Sequence, residues 1–62
     1  MNIIEAAKAM QQGQRVRRRS DPLFVYFFRD DEIWMEYMGK KRRRRPSFPM
    51  DDLLAEDWEI VE

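Results

Sequence analysis

Leu23-Phe24-Val25-Tyr26-Phe27-Phe28, the pair Asp30-Asp31 and the stretch Glu32-Ile33-Trp34-Met35-Glu36-Tyr37-Met38 decide the fold. The first run is dense in the aromatic and β-branched residues that fit a pleated surface. The adjacent aspartates supply a turn, so Glu32 to Met38 returns beside the first run as a hairpin. Alternation puts Ile33, Met35 and Tyr37 on one face of the returning strand and Trp34, Glu36 and Met38 on the other. Both faces then carry large apolar side chains. One helix cannot cover them all, and the leftover surface is a candidate partner site.

Upstream, Asn2 is placed to cap a helix with Glu5 three residues on, and Ile3, Ala6, Ala7 and Met10 recur at helical spacing. A helix over residues 3–12 should stop at Gly13. Gln14 to Arg19 reads as a short strand with Val16 its only apolar residue, suited to an edge or a ligand-facing position. Asp21-Pro22 marks a break before the hairpin. Downstream, Gly39-Lys40 offers a second turn, and Lys41 to Arg45 returns as a further antiparallel strand until Pro46 ends it. Pro46 and Pro49 bracket a loop around Phe48. Asp51 to Glu56 reads as a helical turn with Leu53 and Leu54 inward, and Asp57 to Val61 as a closing strand with Trp58 and Ile60 on one face. The sum is an α+β domain over residues 1–62. Its N-terminal helix packs on a bent antiparallel sheet of four to five short strands, with a short helical turn before the last strand.

A chain of 62 residues buries only about 60% of its unfolded surface, so one compact core is the limit. The absence of cysteine removes disulfides and thiolate metal sites and leaves self-association, a homo-oligomer, as the remaining staple. It also fits a reducing cytosol. No apolar run approaches the roughly 20 residues of a membrane helix, and no basic segment leads into a signal-like apolar stretch. The expectation is a cytoplasmic protein without membrane contact. Twelve Lys plus Arg balance twelve Asp plus Glu, yet the charges are segregated. Lys40 to Arg45 is an unbroken cationic run, while the segment from Met50 to Glu62 carries acids and no base.

Catalysis has little to work with. There is no His or Cys, and Ser20 and Ser47 have no neighbouring base. The acid pairs Asp30-Asp31, Asp51-Asp52 and Glu56-Asp57 are a candidate Mg²⁺ or acid and base set, but at turns and helix starts adjacent acids usually cap backbone amides. The reading is therefore a non-enzyme without cofactor or metal. Binding chemistry is better supplied. Arg17, Arg18 and Arg19 with Arg15, and Arg42, Arg43, Arg44 and Arg45, are candidates for an anionic partner, since guanidinium groups beside aromatic rings suit phosphates and stacked bases. That reading gains if the two basic strands lie side by side and loses if they lie apart. Alternation splits the run at 42–45 into two short rows, one of which the C-terminal acids are placed to neutralise. Trp34 and Tyr37 lie on opposite faces of one strand, so one of them suits an interface. Asp51, Asp52, Glu56 and Glu59 form a candidate acidic surface for a basic protein channel, or a solvated edge.

Both ends of the chain resemble the Thoeris anti-defence 2 superfamily of short phage-encoded proteins, formerly a domain of unknown function. The matching residues are Asn2-Ile3-Ile4-Glu5-Ala6-Ala7 with Gly13, Val16, Arg17 and Arg18 at the front. At the back they are Asp52-Leu53-Leu54-Ala55-Glu56-Asp57-Trp58-Glu59-Ile60-Val61. Together these segments cover somewhat under half the sequence. The resemblance implies a small α+β fold, frequent oligomers and a role against bacterial immunity in the host cytosol. Where that superfamily commonly has a Trp after the basic strand, Arg19-Ser20-Asp21-Pro22 stands here, and the middle is short. The expectation is an anti-CRISPR-like inhibitor that binds a subunit of a bacterial CRISPR effector. The alternative is a sponge for a cyclic or adenine-type nucleotide signal, and the third reading is nucleic-acid binding through the Arg strands.

Overall fold

A computed structural model describes the backbone of residues 1–62 and every side chain except that of Lys41. The chain opens with helix α1, Ile3–Gln11, on the expected capping box. The Asn2 side chain accepts from the Glu5 amide and the Glu5 carboxylate accepts from the Asn2 amide, both at 2.9 Å. Gln12 ends the helix and Gly13 turns the chain at φ +87°, a conformation that glycine adopts without steric cost. The buried stripe is Ala6, Ala9 and Met10. Ala7, expected inward, is exposed, because spacings of three and four from Ala6 select Ala9 and Met10.

Five strands follow: β1 Arg15–Arg18, β2 Asp21–Arg29, β3 Glu32–Tyr37, β4 Lys41–Arg44 and, after the short helix α2 Met50–Leu54, β5 Trp58–Val61. They form one antiparallel sheet in the order β4-β3-β2-β1-β5. The hairpin turn places Asp30 and Asp31 at φ +53° and +60°. Two successive left-handed residues make the turn whose twist matches the flanking strands, and aspartate tolerates that conformation well. Asp21-Pro22 belongs to β2, but Pro22, which has no N–H, falls where the register with β1 jumps from Arg17↔Val25 to Arg18↔Asp21. Met38 has left the strand. It sits in the next turn at φ +51° and is exposed.

Three further expectations are corrected. β1 is an inner strand, not an edge, because β5 pairs along its other side through Val16↔Ile60 and Arg17↔Glu59. Leu53 and Leu54 are 41% and 74% exposed. α2 turns Asp52 inward instead: its carbonyl accepts from the Trp58 indole at 3.0 Å and its carboxylate accepts from Arg18 at 2.8 Å. Ile60 shares the Trp58 face yet lies at the rim of the sheet, 38% exposed.

The core consists of Ala6, Ala9, Met10, Val16, Tyr26 and Trp58, with Phe24, Ile33, Met35, Phe48 and Ala55 among the residues packed around it. Trp58 is 1% exposed and meets Tyr26 and Phe48 edge-on at centroid distances of 5.5 and 5.9 Å, a geometry that adds to simple area burial. All of this lies on one face of the sheet. The opposite face is covered by neither helix.

Candidate functional site

Register assembles the open face row by row. Glu59, Arg17, Val25, Glu36 and Arg42 lie opposite one another across β5, β1, β2, β3 and β4, and Phe27, Trp34 and Arg44 form the neighbouring row. At its centre is Glu36, a carboxylate only 5% exposed on a face open to solvent. Arg42 donates to it at 3.0 Å from one side and Arg15 donates to its other oxygen from the other side. A buried carboxylate would be costly alone and is stabilised here by two charge-assisted bonds. The Arg42 bond, with the positive charge of Arg15, holds its pKa below the ordinary carboxylate value against the opposing effect of burial.

β1 and β4 are separated by two strands, so the two basic segments are not neighbours in the sheet, and the anionic-partner reading loses the support that adjacent basic strands would have given it. Their long side chains nevertheless converge. The Arg15 and Arg42 guanidinium carbons stand 5.0 and 5.8 Å from the Phe27 ring centroid. Arg29 adds a third at 5.9 Å and lies 4.6 Å from the Trp34 ring. Trp34, fixed by its indole N–H donating to the Arg29 carbonyl at 3.1 Å, is the member of the Trp34 and Tyr37 pair that faces this surface. Tyr37 lies on the helix side against Phe24 at 4.9 Å. Arg44 pairs with Glu32 at 3.0 Å, and Arg17 and Arg19 share Glu59 at 2.8 and 3.3 Å.

The other candidate arginines lie elsewhere. Arg18 and Arg45 are on the helix side. Arg18 donates to Asp57 and Asp52, Arg45 lies 3.7 Å from Asp52, and their guanidinium groups rest 6.0 Å from Trp58 and 5.6 Å from Phe48 respectively. Asp57 also accepts from the Ser20 amide at 3.0 Å. The Arg18 bond, assisted by Ser20, lowers the Asp57 pKa to about 2, and the same contact raises that of Arg18. Arg43 makes no ion pair among the described residues. Of the acidic candidates, Asp52 and Glu59 are taken up by arginines of this chain, while Asp51 and Glu56 are exposed. Asp52 and Glu59 thus serve the fold, while Asp51 and Glu56 stay open to solvent.

Sequence reading made Arg15, Arg17 and Arg42 binding candidates but gave Glu36, the residue that gathers two of them, only a place on a strand face. The available signal was a lone Glu inside an apolar strand, informative only once register sets it between Val25 and Arg42. No helix is long and apolar enough to cross a membrane, and no group of three acids is gathered as a metal site among the described residues. No protein-family model matches this chain, and no curated protein or solved structure is significantly similar to it.

Proposed function

We propose that this chain is a non-catalytic counter-defence protein of phage type, which binds a subunit of a bacterial CRISPR effector with the open face of its sheet. The observation that carries the reading is the pair Arg15 and Arg42, held over Phe27 by one buried carboxylate on a face that no helix covers. Arginines fixed in this way lose little side-chain entropy on binding, and arginine and aromatic anchors dominate protein interfaces. Arg15, Arg17, Arg29, Arg42 and Arg44 outnumber Glu32, Glu36 and Glu59 there, so the face suits an acidic patch on the partner. A stable interface takes about 800 Å² from each partner, roughly a sixth of the 4624 Å² surface of this chain.

The test is a nucleic-acid cleavage assay with purified CRISPR effector. The protein should inhibit stoichiometrically, and the double variant Arg15→Ala/Arg42→Ala should need at least about tenfold more protein for the same inhibition. An unaffected effector would end this reading. A second reading, a nucleotide sponge, is supported by the open concavity of about 890 Å³ lined by Phe28, Ile33, Trp34 and Arg44 among others. Native mass spectrometry of the protein from cells with active defence systems distinguishes the two. A bound effector subunit favours the inhibitor, and a retained cyclic or adenine nucleotide favours the sponge.

A further inference from the structure

We propose that the outer edge of β4 is a second docking surface, which takes an extended acidic segment of another protein as an added strand. The proposal stands apart from the open-face reading and does not depend on it. β4 ends the sheet and pairs only with β3. The phase of that pairing follows from the Arg45 amide, which donates to the Ile33 carbonyl at 2.7 Å. Backbone groups of alternate residues point to alternate sides, so Arg43 faces β3, and the N–H and C=O groups of Arg42 and Arg44 face outward. Among the described residues, no backbone partner takes them.

An unpaired edge is a template for another strand, and proteins blunt such edges with charge. Here the blunting has one sign, because Lys40 to Arg45 is entirely cationic. A second copy of β4 is repelled, whereas an acidic strand is attracted. The edge therefore discriminates in favour of acidic partners rather than closing to all of them. On the helix side, Arg43 has no ion pair among the described residues and borders a cleft of about 260 Å³ with Phe24, Met35 and Tyr37. In the added strand, the residue beside Arg43 is acidic, and an apolar side chain on the same face has this cleft to enter. Main-chain bonds supply the affinity and alternate side chains the selectivity, as in β-strand addition generally.

The test uses a short synthetic peptide alternating Glu with Val and Phe, followed by fluorescence anisotropy and amide exchange. It should bind saturably, and the amides of Arg42 and Arg44 should gain protection while that of Arg43, already in the ladder, changes little. Arg44→Pro removes one outward N–H without touching a backbone bond to β3, and Arg44→Ala, which equally loses the side-chain pair with Glu32 but keeps that N–H, is its control. Arg43→Glu reverses a charge that has no ion-pair partner among the described residues. Arg44→Pro and Arg43→Glu should each weaken the peptide at least about tenfold, and Arg43→Glu should keep the native melting temperature, which guards against misreading a folding defect. The proposal is overturned if the peptide does not bind, or if it binds without protecting Arg42 and Arg44. A single-stranded oligonucleotide of equal charge that binds as tightly and protects the same amides would overturn it as well.

Discussion

Arg18 and Arg45 lie on the helix side of the sheet with 19% and 28% of their side chains exposed, whereas Arg15 and Arg42 lie on the open side with 42% and 52%. Both pairs grip carboxylates and both lie over aromatic rings. They differ in what the carboxylates belong to. Asp52 and Asp57 come from the segment that carries Trp58, so the first pair fastens the C-terminal segment to the sheet and roofs the core. Glu36 comes from the middle of β3, so the second pair ties β1 and β4 to a strand that the ladder already holds between them. Its product is a surface: two guanidinium groups held still above Phe27. An ion pair therefore stabilises the fold when it joins separate segments, and shapes a face when its acid is already inside the sheet.

The helix side is most vulnerable at Trp58. Trp58→Ala removes the core's largest side chain together with its bond to Asp52, and should cost about 3–5 kcal/mol in urea unfolding. That is enough to unfold much of a marginally stable small domain. The pairs themselves come next. Arg18→Ala strips Asp52 and Asp57 of their closest partner and should cost about 1–3 kcal/mol, while Arg42→Ala, with Arg15 still on Glu36, should cost under about 1 kcal/mol. Equal losses would erase the distinction drawn between the two faces.

Acid supplies the mildest probe. Asp57, Glu36 and Glu59 have pKa values below their ordinary ones because arginines hold the charged forms. Groups depressed in the folded state stabilise it above the unfolded pKa, about 4, and that stability is lost as pH falls through the folded values. Urea midpoints should therefore decline below about pH 4.5, the last part near the Asp57 value of about 2. Asp57→Asn should flatten that last part.

Much of the architecture was legible from residue patterns. The hairpin showed in its aromatic alternation and aspartate turn, α1 in its capping box and glycine stop, and β4 in the run that Pro46 ends. Each of these signals is local. The misreadings occurred where the answer depended on a distant partner. Leu53 and Leu54 look like core beside a polar Asp52, until Arg18 and the Trp58 indole, both brought in from strands, claim Asp52. β1 looks like an edge until β5 arrives from the other end of the chain. Glu36 looks like a solvent-facing strand residue until Arg15 reaches it across β2.

The pairing of β5 with β1 also has a consequence in time. β2, β3 and β4 follow one another through tight turns and can zip in sequence, but Arg17 must find Glu59 across 42 residues, so closing that loop carries the larger entropy cost. Trp58 arrives with it. During synthesis the meander is expected to form first as a sheet without a finished core, its aromatic face waiting for the indole that completes it. Folding to the native state is then a single late event, timed by the emergence of β5.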